Sequence, residues 1–400
     1  MKILMLTSRL PYPPDRGDRL RVFNFCRILS KRHQLTLVTF INRKSELAYL
    51  PELKDYFAQI YPIHLTRWSS YISALFTLFQ NLPLQVGYYR SGKMKQFLEK
   101  HLHEVQYDLI YTHLIRLAPY TRHISGIPKV LDMTDLISTE IERSLAYRHG
   151  PSRWLYQIEL PRLRNYEQLV APDYDACWLV SKAEGKQFLS LMPNLQPQIV
   201  TNGIDPSVFY PLPDIQRKRR LMFVGHLGVY HNIDAAVFLC REIWPVIQQE
   251  FPDYQIDIIG AEPTPAVLQL GALPGVNVHG YVTDLNRALN RTAVFVAPLR
   301  FAAGIQNKVL EAMATETPVV TSSLVNEGLG ATAGRDLLVA DTHDELIQAI
   351  RQLIKQPAFA QQIGSQGSQF VNTYFSWENV LPAVAKWMPA TGSHYHTNAY

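Results

Sequence analysis

The chain has 400 residues, of which 47% are hydrophobic and 18% charged, an ordinary globular composition with enough apolar mass for a core in each half. Its formal net charge of +5 suits an anionic partner such as a nucleotide diphosphate or an anionic lipid surface, and no basic run with interleaved aromatics points to nucleic acid. The three cysteines, Cys26, Cys177 and Cys240, lie far apart, which excludes a disulfide framework or a zinc site and predicts a reducing, cytoplasmic setting.

Taken in chain order, Met1-Lys2-Ile3-Leu4-Met5-Leu6 is too short an apolar run for a signal peptide and reads as a first strand. A Pro-rich polar loop follows from Arg9 to Asp18, then a helical pattern from Leu20 to Lys31 and a strand over 35–40. No charged residue stands between Arg67 and Arg90. That segment reads either as a helix and loop packed on the first domain or as an interfacial element that meets a lipid-linked acceptor. Strands are expected at 108–112, 129–132, 176–180 and 198–200, with helical spacing over 138–170 and a capping box from Ser181 to Glu184. Nowhere do about 20 apolar residues run together, so no transmembrane helix is expected.

Pro206, Pro211 and Pro213, followed by Lys218-Arg219-Arg220, mark a linker. The β–α rhythm then restarts. Strands are expected at 221–225, 255–260, 276–278, 293–297 and 318–321, and helices at 234–251, 307–314, 343–355 and 357–373. The domains are thus 1–204, a linker at 205–217 and 218–375. A helix at 376–388 packs back on the first domain, and a disordered tail covers 389–400. Ligands of open parallel sheets bind at the carboxyl ends of strands, so two facing sheets would place one substrate on each wall of a cleft.

The segment 297–320 reads strand, glycine-containing loop, helix, turn, strand. A helix N-terminus favours phosphate through its outward N–H groups and dipole. Lys308 lies in the first turn and Arg300 in the loop before it; Glu311, one turn later, can take both hydroxyls of a ribose. Asp132 and Asp135 stand just beyond a strand, either as acceptor-binding or base groups or as caps of the following turn. Asn202-Gly203 reads as a turn, and His394 and His396 fall in the polar tail.

Leu310-Glu311-Ala312-Met313-Ala314 and Pro318-Val319-Val320 resemble the donor-site signature of family 4 retaining glycosyltransferases of the GT-B fold. The resemblance covers about residues 1–385. The family's first glutamate, eight residues before the second, falls here on Ala303. The version Gly304-Ile305-Gln306-Asn307-Lys308 is similar to a branch associated with PEP-CTERM/exosortase exopolysaccharide systems, in which the lysine meets the diphosphate. Gly17 matches a first-loop glycine that lets the backbone approach the diphosphate, and His113 a strand-end histidine near the donor sugar. Phe223-Val224-Gly225-His226 resembles a strand and loop that often continue with an arginine and, six residues on, a lysine; His226 and Asn232 stand there instead.

The resemblance implies an α/β GT-B fold of two facing Rossmann-like, doubly wound parallel-sheet domains. It also implies transfer of a sugar, with retention, from a nucleoside diphosphate sugar to a hydroxyl on a glycan or lipid-linked acceptor. His113, Lys308, Asp132 and Asp135 are the candidate catalytic residues. Gly17, Gly225, His226, Arg300, Gly304, Gln306, Asn307, Lys308 and Glu311 are the candidate donor ligands. Cations stabilise the leaving diphosphate, so neither a metal nor a further cofactor is expected, and the sequence is read as lacking an Asp-x-Asp motif to hold one. The expected setting is cytoplasmic, with room for a peripheral contact at the inner membrane face. The rival readings are a UDP-sugar epimerase or a phosphorylase on the same architecture, and a catalytically inactive assembly partner. A dinucleotide dehydrogenase is disfavoured because neither half begins with G-x-G-x-x-G.

Overall fold

Two parallel sheets organise the chain in the computed structural model, which describes residues 1–14, 17–302 and 304–385. Ala303 and the 386–400 stretch, with His394 and His396, lie outside the described residues. The chain separates into two units, Met1–Val200 together with the stretch from Leu381 onward, and Thr201–Val380.

The first sheet contains β1 (Lys2–Thr7), β2 (Gln34–Ile41), β3 (Gln59–His64), β4 (Leu109–His113), β5 (Lys129–Thr134), β6 (Ala176–Leu179) and β7 (Gln198–Ile199). Their order is β3-β2-β1-β4-β5-β6-β7, and every pairing is parallel. Helices cover the sheet, so its inner strands are apolar throughout rather than alternating: Ile3 to Leu6 are all fully buried. The order reverses between β1 and β4, the position where doubly wound sheets bind ligands.

Strand β3 was not expected, because Pro62 breaks the run Gln59–His64. It lies at the sheet edge, where a missing N–H costs little. Thr134 has φ of 64° and coincides with a register shift between β5 and β6, a bulge that turns the end of β5. The helical stretch read at 138–170 is two helices, Ile137–Ser144 and Gly150–Val170. Ser181 caps the helix Lys182–Leu191 through the Glu184 N–H, while the Glu184 carboxylate accepts from the Leu136 N–H at 2.7 Å.

The second sheet contains β8 (Arg220–Val224), β9 (Gln255–Ile259), β10 (Val276–His279), β11 (Val294–Ala297), β12 (Val319–Thr321) and β13 (Leu338–Val339). The order β10-β9-β8-β11-β12-β13 again reverses in the middle, between β8 and β11. The helix expected at 234–251 is Tyr230–Phe238 continued by a π turn, Leu239–Ile243, into Trp244–Glu250. Pro245 near the start of that last segment lacks an N–H, and the π turn accommodates it. The stretch read as a linker is hydrogen-bonded to this second unit. Tyr210 N–H donates to Asn286 Oδ1 at 3.1 Å and Leu212 N–H to Asn290 Oδ1 at 2.7 Å, while Arg217 donates to the Thr292 and Thr315 carbonyls. Cys26 and Cys177 are buried in the first unit and Cys240 in the second.

Candidate functional site

In the second unit the candidate residues collect at the carboxyl ends of β8 and β11. The helix Asn307–Ala314 begins there, buried on most of its faces, so its N-terminal N–H groups open toward the sheet's switch point. Gln306 takes the cap position in an extended conformation. Asn307 accepts a hydrogen bond from the Asn202 side chain at 3.1 Å, which ties the loop after β7 to this helix start. Gly304 has φ of 59°, and a Cβ on Gly328 would lie 2.7 Å from its carbonyl oxygen, so the loop is pressed onto its neighbour.

Lys308 is buried, its ammonium bonded to Asn232 Oδ1 and lying 5.2 Å from the centre of the Phe223 ring. Burial lowers its pKa to about 7, against the pull of Glu311. Glu311 is raised to about 7, also by burial, with Lys308 opposing. Each therefore sits near the midpoint of its titration, and an arriving diphosphate or pair of hydroxyls would fix the charged form. Asn232 in turn donates to the His226 carbonyl at 3.1 Å, so the two positions that depart from the resemblance are joined to Lys308 in one network. A Cβ on Gly225 would stand 2.7 Å from the Asn232 side chain, so the glycine is what admits it.

His226 faces Glu262 at 3.5 Å and accepts from the Gly228 N–H. Arg300 forms a two-pronged ion pair with Asp234, at 2.9 and 2.5 Å, and lies over the Phe238 ring. It is thus held on the helix Tyr230–Phe238.

In the first unit Gly17 opens the helix Gly17–Leu29 after β1, and His113 ends β4 beside it. Ser8, Arg9, Asp18, Arg19 and His113 line one small crevice. Burial lowers the His113 pKa to about 4 despite Asp132 and Asp18, so the ring is neutral and offers a hydrogen bond rather than a charge. It stacks on Tyr111, with Thr134 Oγ1 3.5 Å from Nε2. Leu114 and Thr134, on either side of this ring, both adopt positive φ, at 72° and 64°. Positive φ at two non-glycine residues at adjacent strand ends is uncommon backbone that the surrounding structure must hold.

Asp132 is fully enclosed. Oδ2 accepts from Arg21 Nε at 2.8 Å and Tyr111 OH at 2.5 Å, and Oδ1 from the Thr134 N–H at 3.1 Å. Burial pushes its pKa up, but the Arg21 charge, His113 and the hydrogen bonds from Arg21 and Tyr111 together outweigh this and hold it below the ordinary value. Arg21 also donates to the Val200 carbonyl, tying β7 to the first helix. Sequence reasoning named neither Arg21 nor Tyr111; only the β1–β4–β5 adjacency brings them together. Asp135 lies past the bulge. Burial and the neighbouring Glu184 and Glu140 raise its pKa well above the ordinary value, and its Oδ1 has no hydrogen-bond partner among the described residues.

The expectation about Asp-x-Asp motifs needs a correction. The chain does contain one, Asp173-Tyr174-Asp175. Its carboxylates are taken: Asp173 by Arg122 at 2.6 Å and Asp175 by the Lys129 N–H at 2.7 Å. Among the described residues no group of three or more His, Cys, Asp or Glu side chains is gathered as a metal would require.

Residues 218–356, which contain the Lys308 network, match the family model described as glycosyl transferases group 1. An uncharacterized 44.6 kDa protein in the cps region of Klebsiella pneumoniae is 20% identical over 96% of this chain and 99% of its own length. The alpha-maltose-1-phosphate synthase of Mycolicibacterium smegmatis is 30% identical over 52% of this chain, and the match spans about 60% of that enzyme. Among solved structures, Anabaena HepE in complex with UDP and glucose superposes with a TM-score of 0.68 at 16% identity, over 96% of this chain and 98% of its own. The second domain thus matches the group 1 glycosyl transferase model, and the chain shares a fold of two Rossmann-like parallel-sheet domains with such neighbours.

Proposed function

We propose that the protein transfers a glycosyl group, with retention of anomeric configuration, from a nucleoside diphosphate sugar to a hydroxyl acceptor. The observation that carries this is Lys308, buried in the first turn of the helix Asn307–Ala314, with the half-buried Glu311 one turn later. A lysine and a carboxylate one helical turn apart, each drawn toward neutrality by burial, form a receptor for an anion and a diol side by side. As the bond from the sugar's anomeric carbon to the diphosphate breaks, charge gathers on the diphosphate oxygen. Lys308 and the helix N-terminus stabilise it there. The acceptor oxygen then bonds to that carbon on the same face, and its proton passes to the departing diphosphate. In the first domain we assign His113, as a neutral ring, to contact with a sugar and the Gly17 helix start to contact with a phosphate. Asp135 is the better placed of the two aspartates to meet the acceptor, since the lone pairs of Asp132 are already engaged.

The Klebsiella relative lies in a cps region and HepE was solved with UDP and glucose. The second is in keeping with a uridine donor and the first with a role in surface or extracellular polysaccharide assembly; the reading adds a cytoplasmic enzyme that uses no metal. A thermal-shift panel of UDP, GDP, ADP, CMP and their common sugars, with and without EDTA, tests this reading. A rise in melting temperature with one nucleotide class, indifferent to EDTA, is expected. No rise with any nucleotide would return weight to an inactive assembly partner, and turnover of the donor without an acceptor would point to an epimerase.

A further inference from the structure

The helix Arg67–Thr77 is built inside out. Its buried residues are Ser70, Ala74 and Thr77, all small, while Trp68, Tyr71, Ile72, Leu75 and Phe76 face solvent. Phe79, just past the helix, is 90% exposed and Trp68 80%. The inward face is small because the next helix, Leu84–Tyr88, presents Gly87 to it; a Cβ there would lie 2.5 Å from Thr77 Cγ2 and 2.8 Å from Ala74 Cα. Close packing of small residues thus fixes the element in place, and among the described residues its large apolar side chains stay mostly exposed, with Tyr71 in edge contact with the Tyr88 ring. The element is anchored at its far end as well. Arg162 donates to the Leu78 carbonyl at 3.1 Å, and Glu159 accepts from the Leu84 N–H at 2.6 Å. Both belong to the helix Gly150–Val170. Two turns earlier on the stripe that carries Arg162, that helix exposes Trp154, with Leu155 beside it.

Charge selects the partner. From Tyr56 to Leu98 the sequence contains no acidic residue, and its cations are Arg67, Arg90, Lys93 and Lys95, all exposed. Arg153 adjoins Trp154, and no acidic residue stands between Glu142 and Glu159. An apolar face with tryptophans at its margin and exposed cations along its own segment suits a lipid surface that carries negative charge. A second copy of the same face would set those cations against their own counterparts. The helix has 11 residues, about 17 Å long, too short to cross a bilayer, so it lies in the plane of the surface.

We propose that the face formed by Trp68, Tyr71, Ile72, Leu75, Phe76 and Phe79, extended by Trp154 and Leu155, docks the protein on a membrane that contains anionic lipid. The proposal does not depend on the donor assignment. Flotation with vesicles of phosphatidylcholine alone, and of phosphatidylcholine mixed with phosphatidylglycerol, tests it on the full chain without substrate. The protein is expected to bind the mixed vesicles more tightly, with affinity falling as salt rises. Phe76→Ser with Phe79→Ser should weaken that binding on the order of 100-fold, because two large apolar side chains no longer leave water. Arg67→Gln with Arg153→Gln should weaken it by about tenfold and flatten its salt dependence. Both variants alter exposed side chains, so their melting temperatures and nucleotide-induced shifts should match the parent's. Failure of the parent to bind mixed vesicles would overturn the proposal, as would undiminished binding by the serine variant. If the parent self-associates in gel filtration and the serine variant is monomeric, with no vesicle binding by either, the face is a copy-to-copy interface and the lipid proposal falls.

Discussion

Each domain places a cation and a carboxylate near the reversal point of its sheet, and the two pairs are in opposite states. In the first, Arg21 and Asp132 are fully buried, joined directly, and supplemented by Tyr111 and the Thr134 N–H. Asp132 is held ionised more firmly than in water. In the second, Lys308 and Glu311 are each drawn toward neutrality, and the lysine's hydrogen bond goes to an amide, Asn232, rather than to the carboxylate. The first pair is joined charge to charge by the chain's own residues. The second lacks the counter-charges that would settle it, which is what a binding site for an anion looks like before the anion arrives.

The largest expected effect breaks the closed pair. Asp132→Ala leaves the Arg21 guanidinium buried without its partner and should destabilise the first domain by about 3–5 kcal/mol, read in chemical denaturation. Because the folded pKa of Asp132 is lowered, its contribution is complete above the ordinary carboxylate range. It is lost as pH falls through that lower value, so the parent's advantage over the variant should shrink in acid.

The open pair should respond in function instead. Glu311→Ala should weaken nucleotide-sugar binding by about 100-fold in calorimetry, the cost of losing a charged acceptor for two hydroxyls. It should leave the melting temperature of the free protein unchanged or higher. Lys308→Ala should weaken nucleoside diphosphates by more than about tenfold while nucleosides change little; equal losses for both would remove the diphosphate role. The pair also sets a pH dependence. Nucleotide-sugar affinity should peak near neutrality, declining above it as Lys308 loses its proton and below it as Glu311 gains one. A flat profile between pH 6 and about 8 would show that neither group titrates in the free protein.

The smallest effect sharpens the boundary of the open site. Arg300 spends its guanidinium on Asp234, with its side chain partly in solvent. Arg300→Ala should change stability by no more than about 1 kcal/mol. A loss of donor affinity comparable to that of Lys308→Ala would show that Arg300 leaves Asp234 for the diphosphate.

Much of the scaffold was legible because its signals are local. Buried parallel strands announce themselves as apolar runs, and β1, β4, β8 and β11, the strands on either side of the reversals, were all found. Of the four edge strands, β7 and β10 were found and two were not: β3 contains a proline and β13 is two residues long. The second domain's candidates were found because Arg300, Lys308 and Glu311 lie within one short segment. Arg21 escaped notice because its meaning depends on Asp132, 111 residues away. The bulge at Thr134 left no trace, since a β-branched residue is a poor choice for positive φ and nothing nearby advertises the turn. Asn232 looked like a lost lysine until the structure placed its amide on Lys308.

The three cysteines now acquire a use. Cys26 and Cys177 lie in the first domain and Cys240 in the π turn of the second. Burial pushes the Cys26 thiol well up and the other two to about 12, so none reacts while its surroundings stay closed. Each domain therefore carries its own natural clock for transient opening: the rate at which an alkylating reagent reaches Cys240, compared with Cys26 and Cys177, reads how often each half breathes. A nucleotide that slows labelling at Cys240 more than at the other two would be registered by the domain that binds it.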